Sequence, residues 1–181
     1  MKNGKAEIKN LDIGKYILRE TKTRKEYKIA LEQNITIEWG KTLNLTIENE
    51  KMKGKVKITK ISEDDNLITG EVAGTPIANV KFEIYDDSGK LVDTLITKAD
   101  GIAISKDLVV GKYIVKEKET GEYYEINEND FEVEITKNGE VVGLTISNKS
   151  KTPPPEKPKE ETPKIEVPPI EPIKKLPVTG Y

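Results

Sequence analysis

Apolar and polar residues alternate one for one in five stretches of this chain: VKITKI (56–61), VKFEIYD (80–86), KYIVKEKE (112–119), FEVEITK (131–137) and VVGLTISN (141–148). In an extended strand, successive side chains point to opposite faces, so each stretch offers one apolar and one polar face. Five such faces within residues 54–150 must be buried against each other, and the economical solution is two sheets packed face to face. Turn-forming clusters separate the stretches at Asp86-Asp87-Ser88-Gly89, Ala99-Asp100-Gly101 and Lys137-Asn138-Gly139. Asn138-Gly139, between two alternating runs, predicts a hairpin. No stretch has convincing amphipathic helical periodicity. The expectation is an all-β sandwich of Greek-key or similar topology.

Proline marks where that sandwich ends. Of ten prolines, only Pro76 precedes Pro153. Residues 151–175, KTPPPEKPKEETPKIEVPPIEPIKK, are expected to form an extended proline-rich tether, because proline fixes φ and removes a backbone donor. At roughly 3.1 Å per residue such a stretch would reach about 75 Å.

The residue inventory removes several function classes. Thirty Lys and Arg nearly balance 32 Asp and Glu, so no field of one sign favours nucleic acid or an anionic membrane. There is no cysteine, which closes disulfide and thiolate–metal routes, and no histidine, the commonest general base and zinc ligand. Ser-His-Asp and Cys-His catalysis are thereby excluded. No run of 18 apolar residues is present, and MKNGKAEIKN at the start lacks the apolar region of an export signal.

The chain also repeats itself. Asn3-Gly4, Leu11, Gly14-Lys15-Tyr16-Ile17, Glu20 and Tyr27 match Asp100-Gly101, Leu108, Gly111-Lys112-Tyr113-Ile114, Glu117 and Tyr124 at a constant offset of 97. LTIENEK (45–51) matches LTISNKS (144–150) at an offset of 99. Residues 1–51 therefore repeat the second half of residues 54–150, and the expectation is a chain that begins inside one domain of a longer tandem array.

Strand periodicity exposes an oddity. Val56, Ile58 and Lys60 share a face, as do Tyr113, Val115 and Glu117, and Leu144, Ile146 and Asn148. Each apolar stripe ends in a polar residue. The earlier copy does the same with Tyr16, Leu18 and Glu20, and with Leu43, Leu45, Ile47 and Asn49. A single inward charge at a strand end commonly snorkels to water. Three such residues in one domain, two of them repeated in the other copy, are expected to meet.

On these residues the chain resembles the Cna B-type domain, also called the SpaA-type prealbumin-like pilin domain. The matching landmarks are the opening VKITKIS, the segment GTPIANVKFEIYDDSGKLV, the Ala99-Asp100-Gly101 turn, the GKYIVKE run and the closing LTISNK. GKY-x-x-x-E also resembles the E-box of Gram-positive pilins. The resemblance covers residues 54–150 as a complete domain and 1–51 as a half, and implies a prealbumin-like (Ig-like) β-sandwich. Many family members form a spontaneous isopeptide bond between a first-strand lysine and a last-strand asparagine, promoted by a buried acid. Carried over, these are Lys60, Asn148 and Glu117, with Glu20 and Asn49 as the equivalents in the half-domain, which has no equivalent of Lys60. The chemistry is sound in principle: burial favours the neutral forms of an amine and a carboxylic acid. A neutral amine can attack a carboxamide that an acid polarises. An ordinary Lys60–Glu117 ion pair beside Asn148 is the alternative. The half-domain is expected to fold poorly by itself.

Leu176-Pro177-Val178-Thr179-Gly180 resembles the LPxTG sorting signal of Gram-positive surface proteins. In that family a sortase cysteine attacks the Thr–Gly carbonyl and joins the threonine to an amine of the wall or of another subunit. The signal normally continues into an apolar segment and a basic tail; here only Tyr181 follows, and the expectation is a fragment. The resemblance implies a secreted protein anchored to a Gram-positive cell wall. Its partners would be sortase and peptidoglycan, then other pilin subunits or host matrix, with no nucleic acid and no membrane span in this chain. No cofactor and no metal are expected. Glu63-Asp64-Asp65-Asn66 and Asp86-Asp87 lack EF-hand spacing and read as acidic turns. Trp39 and Tyr123-Tyr124 read as core or edge packing rather than a ligand platform. The expected function is a structural stalk, of an adhesin or a pilin subunit, and not an enzyme. An adhesin module that binds a host ligand directly is the alternative.

Overall fold

The computed structural model describes residues 4–153. Ten strands follow in order: β1 (Gly14–Leu18), β2 (Gln33–Ile37), β3 (Lys53–Ser62), β4 (Lys81–Asp86), β5 (Leu91–Ile96), β6 (Ile102–Ile104), β7 (Leu108–Val109), β8 (Gly111–Glu119), β9 (Asp130–Ile135) and β10 (Val141–Asn148). Among the described residues there is no helix, hence none long and apolar enough to cross a membrane. The five alternating stretches are β3, β4, β8, β9 and β10. The sequence pattern passed over β5, where Leu91-Val92 and Leu95-Ile96 break the alternation, and β6 and β7, which are too short to show a period.

Two four-stranded sheets enclose one core. The first runs β10-β3-β6, with β7 also pairing with β3; the second runs β5-β4-β8-β9. Val56 and Ile58 of β3, Ile146 of β10, Phe82 and Ile84 of β4, Val115 of β8 and Ile135 of β9 are buried in it. Removing this apolar surface from water is the main stabilising term, about 25 cal/mol per Å². The first and last strands of the sandwich, β3 and β10, lie side by side and parallel, with Lys60 opposite Ile146 and Asn148 opposite Ser62. β1 and β2 form a separate antiparallel pair.

The Asn138-Gly139 hairpin does not form. β9 pairs with β8 and β10 pairs with β3, so this turn carries the chain from one sheet to the other. Gly139, at φ +77°, donates its N–H to the Lys53 carbonyl at 2.7 Å, and Asn138 Oδ1 accepts from Lys53 N at 3.1 Å. A turn is present at these residues, but it pins the start of β3.

Candidate functional site

Strand alternation delivers three polar side chains to one end of the core. On β3 every second residue from Gly54 to Ser62 is buried, which carries Lys60 inward behind Val56 and Ile58. On β8 the inward set is Tyr113, Val115 and Glu117, and on β10 Ile146 and Asn148. Gly101 fixes the backbone at Lys60. Its φ is +70°, its carbonyl accepts from Lys60 N at 2.8 Å, and a Cβ there would come within 2.4 Å of the Lys60 carbonyl oxygen. Only glycine suits that position.

The three residues meet. Relative exposure is 0% for Lys60, 5% for Glu117 and 2% for Asn148. Lys60 Nζ contacts Asn148 Oδ1 and lies 3.1 Å from Glu117 Oε2. Asn148 Nδ2 donates to Glu117 Oε1 at 2.5 Å and to Thr120 Oγ1 at 2.8 Å. This network fixes the carboxamide's orientation. Its NH₂ faces two acceptors and its oxygen faces the amine, whereas the flipped amide would set NH₂ against Nζ. The Nζ–Oε2 pair is close enough to attract. Oε2 is the one buried side-chain oxygen or nitrogen among the described residues left without a hydrogen-bond partner. Burial pushes the Lys60 amine below the ordinary lysine range, and the neighbouring Glu117 charge only partly opposes it. Glu117 thus sets one carboxyl oxygen beside each nitrogen, Oε2 at Nζ and Oε1 at Nδ2.

Thr120 escaped the sequence reading. The repeat held a signal for it: Glu117 and Thr120 recur as Glu20 and Thr23 at the same offset of 97.

Glu20 and Asn49 also find each other, without a lysine. Asn49 Nδ2 donates to Glu20 Oε2 at 2.6 Å and to the Lys28 carbonyl at 2.8 Å, and Ala30 N donates to Glu20 Oε2 at 2.7 Å. The Ala30 amide, then the Asn49 amide, hold the Glu20 carboxyl below the usual range.

The remaining candidates have other places. Among the described residues no group of three metal-binding side chains comes together. Asp64 Oδ1 accepts from Ser150 N, Asp65 Oδ1 from Ala73 N, and Asp86 Oδ1 from Ser88 and Lys90 N, so these carboxylates cap loops. Trp39 is 88% exposed and is not a core residue: among the described residues the β1-β2 pair beside it forms a two-stranded sheet of its own. Tyr124 is buried with its hydroxyl on Glu71 at 2.9 Å, while Tyr123 is exposed. Leu176, Pro177, Val178, Thr179 and Gly180, and nearly all of the 151–175 tether, lie outside the described residues.

Comparison with known proteins agrees with this fold. The family model described as SpaA, prealbumin-like fold domain, matches residues 1–51 and 54–150. The trypsin-resistant surface T6 protein of Streptococcus pyogenes serotype M6 is 33% identical over 81 residues, 45% of this chain and 15% of that protein. A collagen adhesin of Staphylococcus aureus is 34% identical over 99 residues, 47% of this chain and 8% of that protein. The structure of the Bacillus anthracis TIE protein superposes with a TM-score of 0.67 at 32% identity, over 78% of this chain and 26% of that one. The chain thus spans a small part of each. With the family model matched over most of its length, the chain belongs to the SpaA prealbumin-like fold family.

Proposed function

We propose that the chain is a stalk segment of a Gram-positive surface protein, an adhesin or a pilin subunit, stiffened by an isopeptide bond between Lys60 and Asn148. In this reading residues 1–51 are the C-terminal half of one repeat, 54–150 a complete repeat, 151–175 a wall-spanning linker and 176–180 the signal a sortase uses. The partners are sortase and peptidoglycan, with other subunits of the same assembly. The two relatives named a surface protein and an adhesin support that setting.

The observation that carries the bond is the buried contact of Lys60, Glu117 and Asn148. The neutral Lys60 amine attacks Asn148 Cγ, an Nζ–Cγ bond forms, and the Cγ–Nδ2 bond breaks. The proton shed by Nζ passes through Glu117 to Nδ2, which leaves as ammonia, and Glu117 ends in the state in which it began. Its two oxygens stand beside the two nitrogens between which the proton must travel. The fold supplies proximity, worth orders of magnitude when reacting groups are held in contact. The reaction happens once, within the protein itself, so the chain is a structural element rather than an enzyme.

The mechanical consequence follows from topology. Tension applied at the start of β3 and the end of β10 would otherwise shear the hydrogen bonds between these parallel strands. With the bond in place, tension runs along β3 to Lys60, crosses to Asn148 and leaves, bypassing residues 61–147. The intact mass of the recombinant full chain tests the bond. A deficit of about 17 Da, the ammonia lost in amide exchange, is expected, and Lys60→Ala should abolish it. An unshifted mass in folded protein would reduce the cluster to a buried ion pair. Incubation with a sortase and an amine tests the anchor: Gly180 and Tyr181 should be lost from a product joined at Thr179.

A further inference from the structure

Thr120 directly follows β8, and its hydroxyl accepts from Asn148 Nδ2. A carboxamide nitrogen has two protons. One goes to Glu117 Oε1 and the other to Thr120 Oγ1, so the nitrogen that must depart is held on both sides while the carboxamide oxygen faces Lys60. Thr120 is half-buried where Lys60, Glu117 and Asn148 are buried, so it forms the solvent side of the cluster. The segment without a lysine is built differently. There Asn49 spends its second bond on the Lys28 carbonyl, and Thr23, the counterpart of Thr120, sits beside Glu20. A threonine on the asparagine nitrogen is therefore peculiar to the site that also holds an amine.

We infer that Thr120 orients the departing nitrogen of Asn148 during crosslinking and lies on the path by which ammonia reaches solvent. This rests on the Lys60–Asn148 reading above. As the Cγ–Nδ2 bond breaks, Nδ2 takes up a proton and gains positive character, so its N–H groups become stronger donors. An acceptor already placed at 2.8 Å then binds the transition state more tightly than the ground state. The same hydroxyl holds the carboxamide plane, keeping Cγ presented to Nζ.

The test follows the loss of ammonia over time by intact mass, in full chains made by cell-free synthesis, counting only the protease-resistant folded fraction. Wild type and Thr120→Ser should crosslink at matching rates, and Thr120→Val at least tenfold more slowly. Thr120→Ala runs alongside, to stand in if valine disturbs the end of β8. A valine variant as fast as wild type, or a serine variant as slow as valine, would overturn the role of the hydroxyl. A wild-type chain that folds and never loses ammonia would remove the bond itself, and this inference with it.

Discussion

Residues 14–52 and 111–151 share much of one hydrogen-bond pattern and differ in how far they are buried. β1 and β2 pair with Tyr16 opposite Ile35, as β8 and β9 pair with Tyr113 opposite Val133. Tyr16 Oη donates to the Asp12 carbonyl and Tyr113 Oη to the Val109 carbonyl, each four residues back. Tyr27 bridges Lys51 as Tyr124 bridges Ser150. Asn49 reaches Glu20 as Asn148 reaches Glu117. Yet no described residue before Gly54 is buried, while the later segment holds Tyr113, Val115, Glu117 and Asn148 in the core. The difference lies in the neighbours: β8 has β4 beside it and β10 has β3, whereas among the described residues β1 pairs with β2 alone. β10 is a strand because β3 lies parallel to it; residues 43–49 carry the same alternation, have no strand beside them among the described residues, and form none. Local pattern writes the hydrogen bonds within one face of the fold. Burial requires the opposing strand, and only the complete sandwich brings it.

The largest test of this contrast is covalent. Lys60→Ala should remove the proposed crosslink and lower the stability of residues 54–150 by roughly 4–5 kcal/mol, the loop-closure value for 88 residues. That corresponds to a melting temperature lower by about 20 °C or more in calorimetry. Asn49→Ala should change neither the mass deficit nor that transition. If it does, the two segments are not independent.

The two glycines come next. Gly4 and Gly101 share φ near +70°, but a Cβ at Gly4 meets nothing within 4 Å. Gly101→Ala should cost roughly 2–4 kcal/mol by combining left-handed strain with a clash against backbone. Gly4→Ala should leave the main thermal transition unmoved. Equal effects would show that conformation alone, not the approach to Lys60, sets the requirement.

A smaller effect should separate the tyrosines. Tyr113→Phe removes a hydrogen bond from a residue that is 8% exposed and should cost about 1 kcal/mol by denaturant titration. Tyr16→Phe should cost less than about 0.5 kcal/mol, because water replaces the lost partner.

The smallest is a pH signature. Glu20 is held below the ordinary carboxyl range by the Ala30 and Asn49 amides. A depressed carboxyl contributes its stability above its unfolded value and loses it as pH falls through the lower folded one. The Ala30 amide resonance should therefore shift with a midpoint below 4.5, and Asn49→Ala should move that midpoint upward. A midpoint at or above 4.5 would mean that the Glu20–Asn49 contact is not held in solution.

Much of the fold was legible because period-two alternation and glycine turns are local signals. β3, β4, β8, β9 and β10 were all visible in that way, and the polar ends of three stripes marked Lys60, Glu117 and Asn148. β5 was not, since both its faces carry apolar residues, and two-residue β7 has no pattern to read. The Asn138-Gly139 turn was legible as a turn but not as a crossing between sheets, because a turn's residues specify dihedral angles and not the partner of the strand that follows. Thr120 was missed because it lies past the end of the β8 alternation, where spacing no longer fixes a direction.

By itself the sequence determined the five alternating strands, the repeat, the tether's composition and the face on which each polar residue of those strands sits, because these depend on neighbours a few positions away. Only the tertiary structure decided that β3 and β10 run parallel and adjacent. With that came the meeting of Lys60 with Asn148, 88 residues later, the burial that lowers the amine's proton affinity, and Thr120 on the amide nitrogen. Contacts across such a separation depend on how two sheets close over a shared core, and no local pattern encodes that.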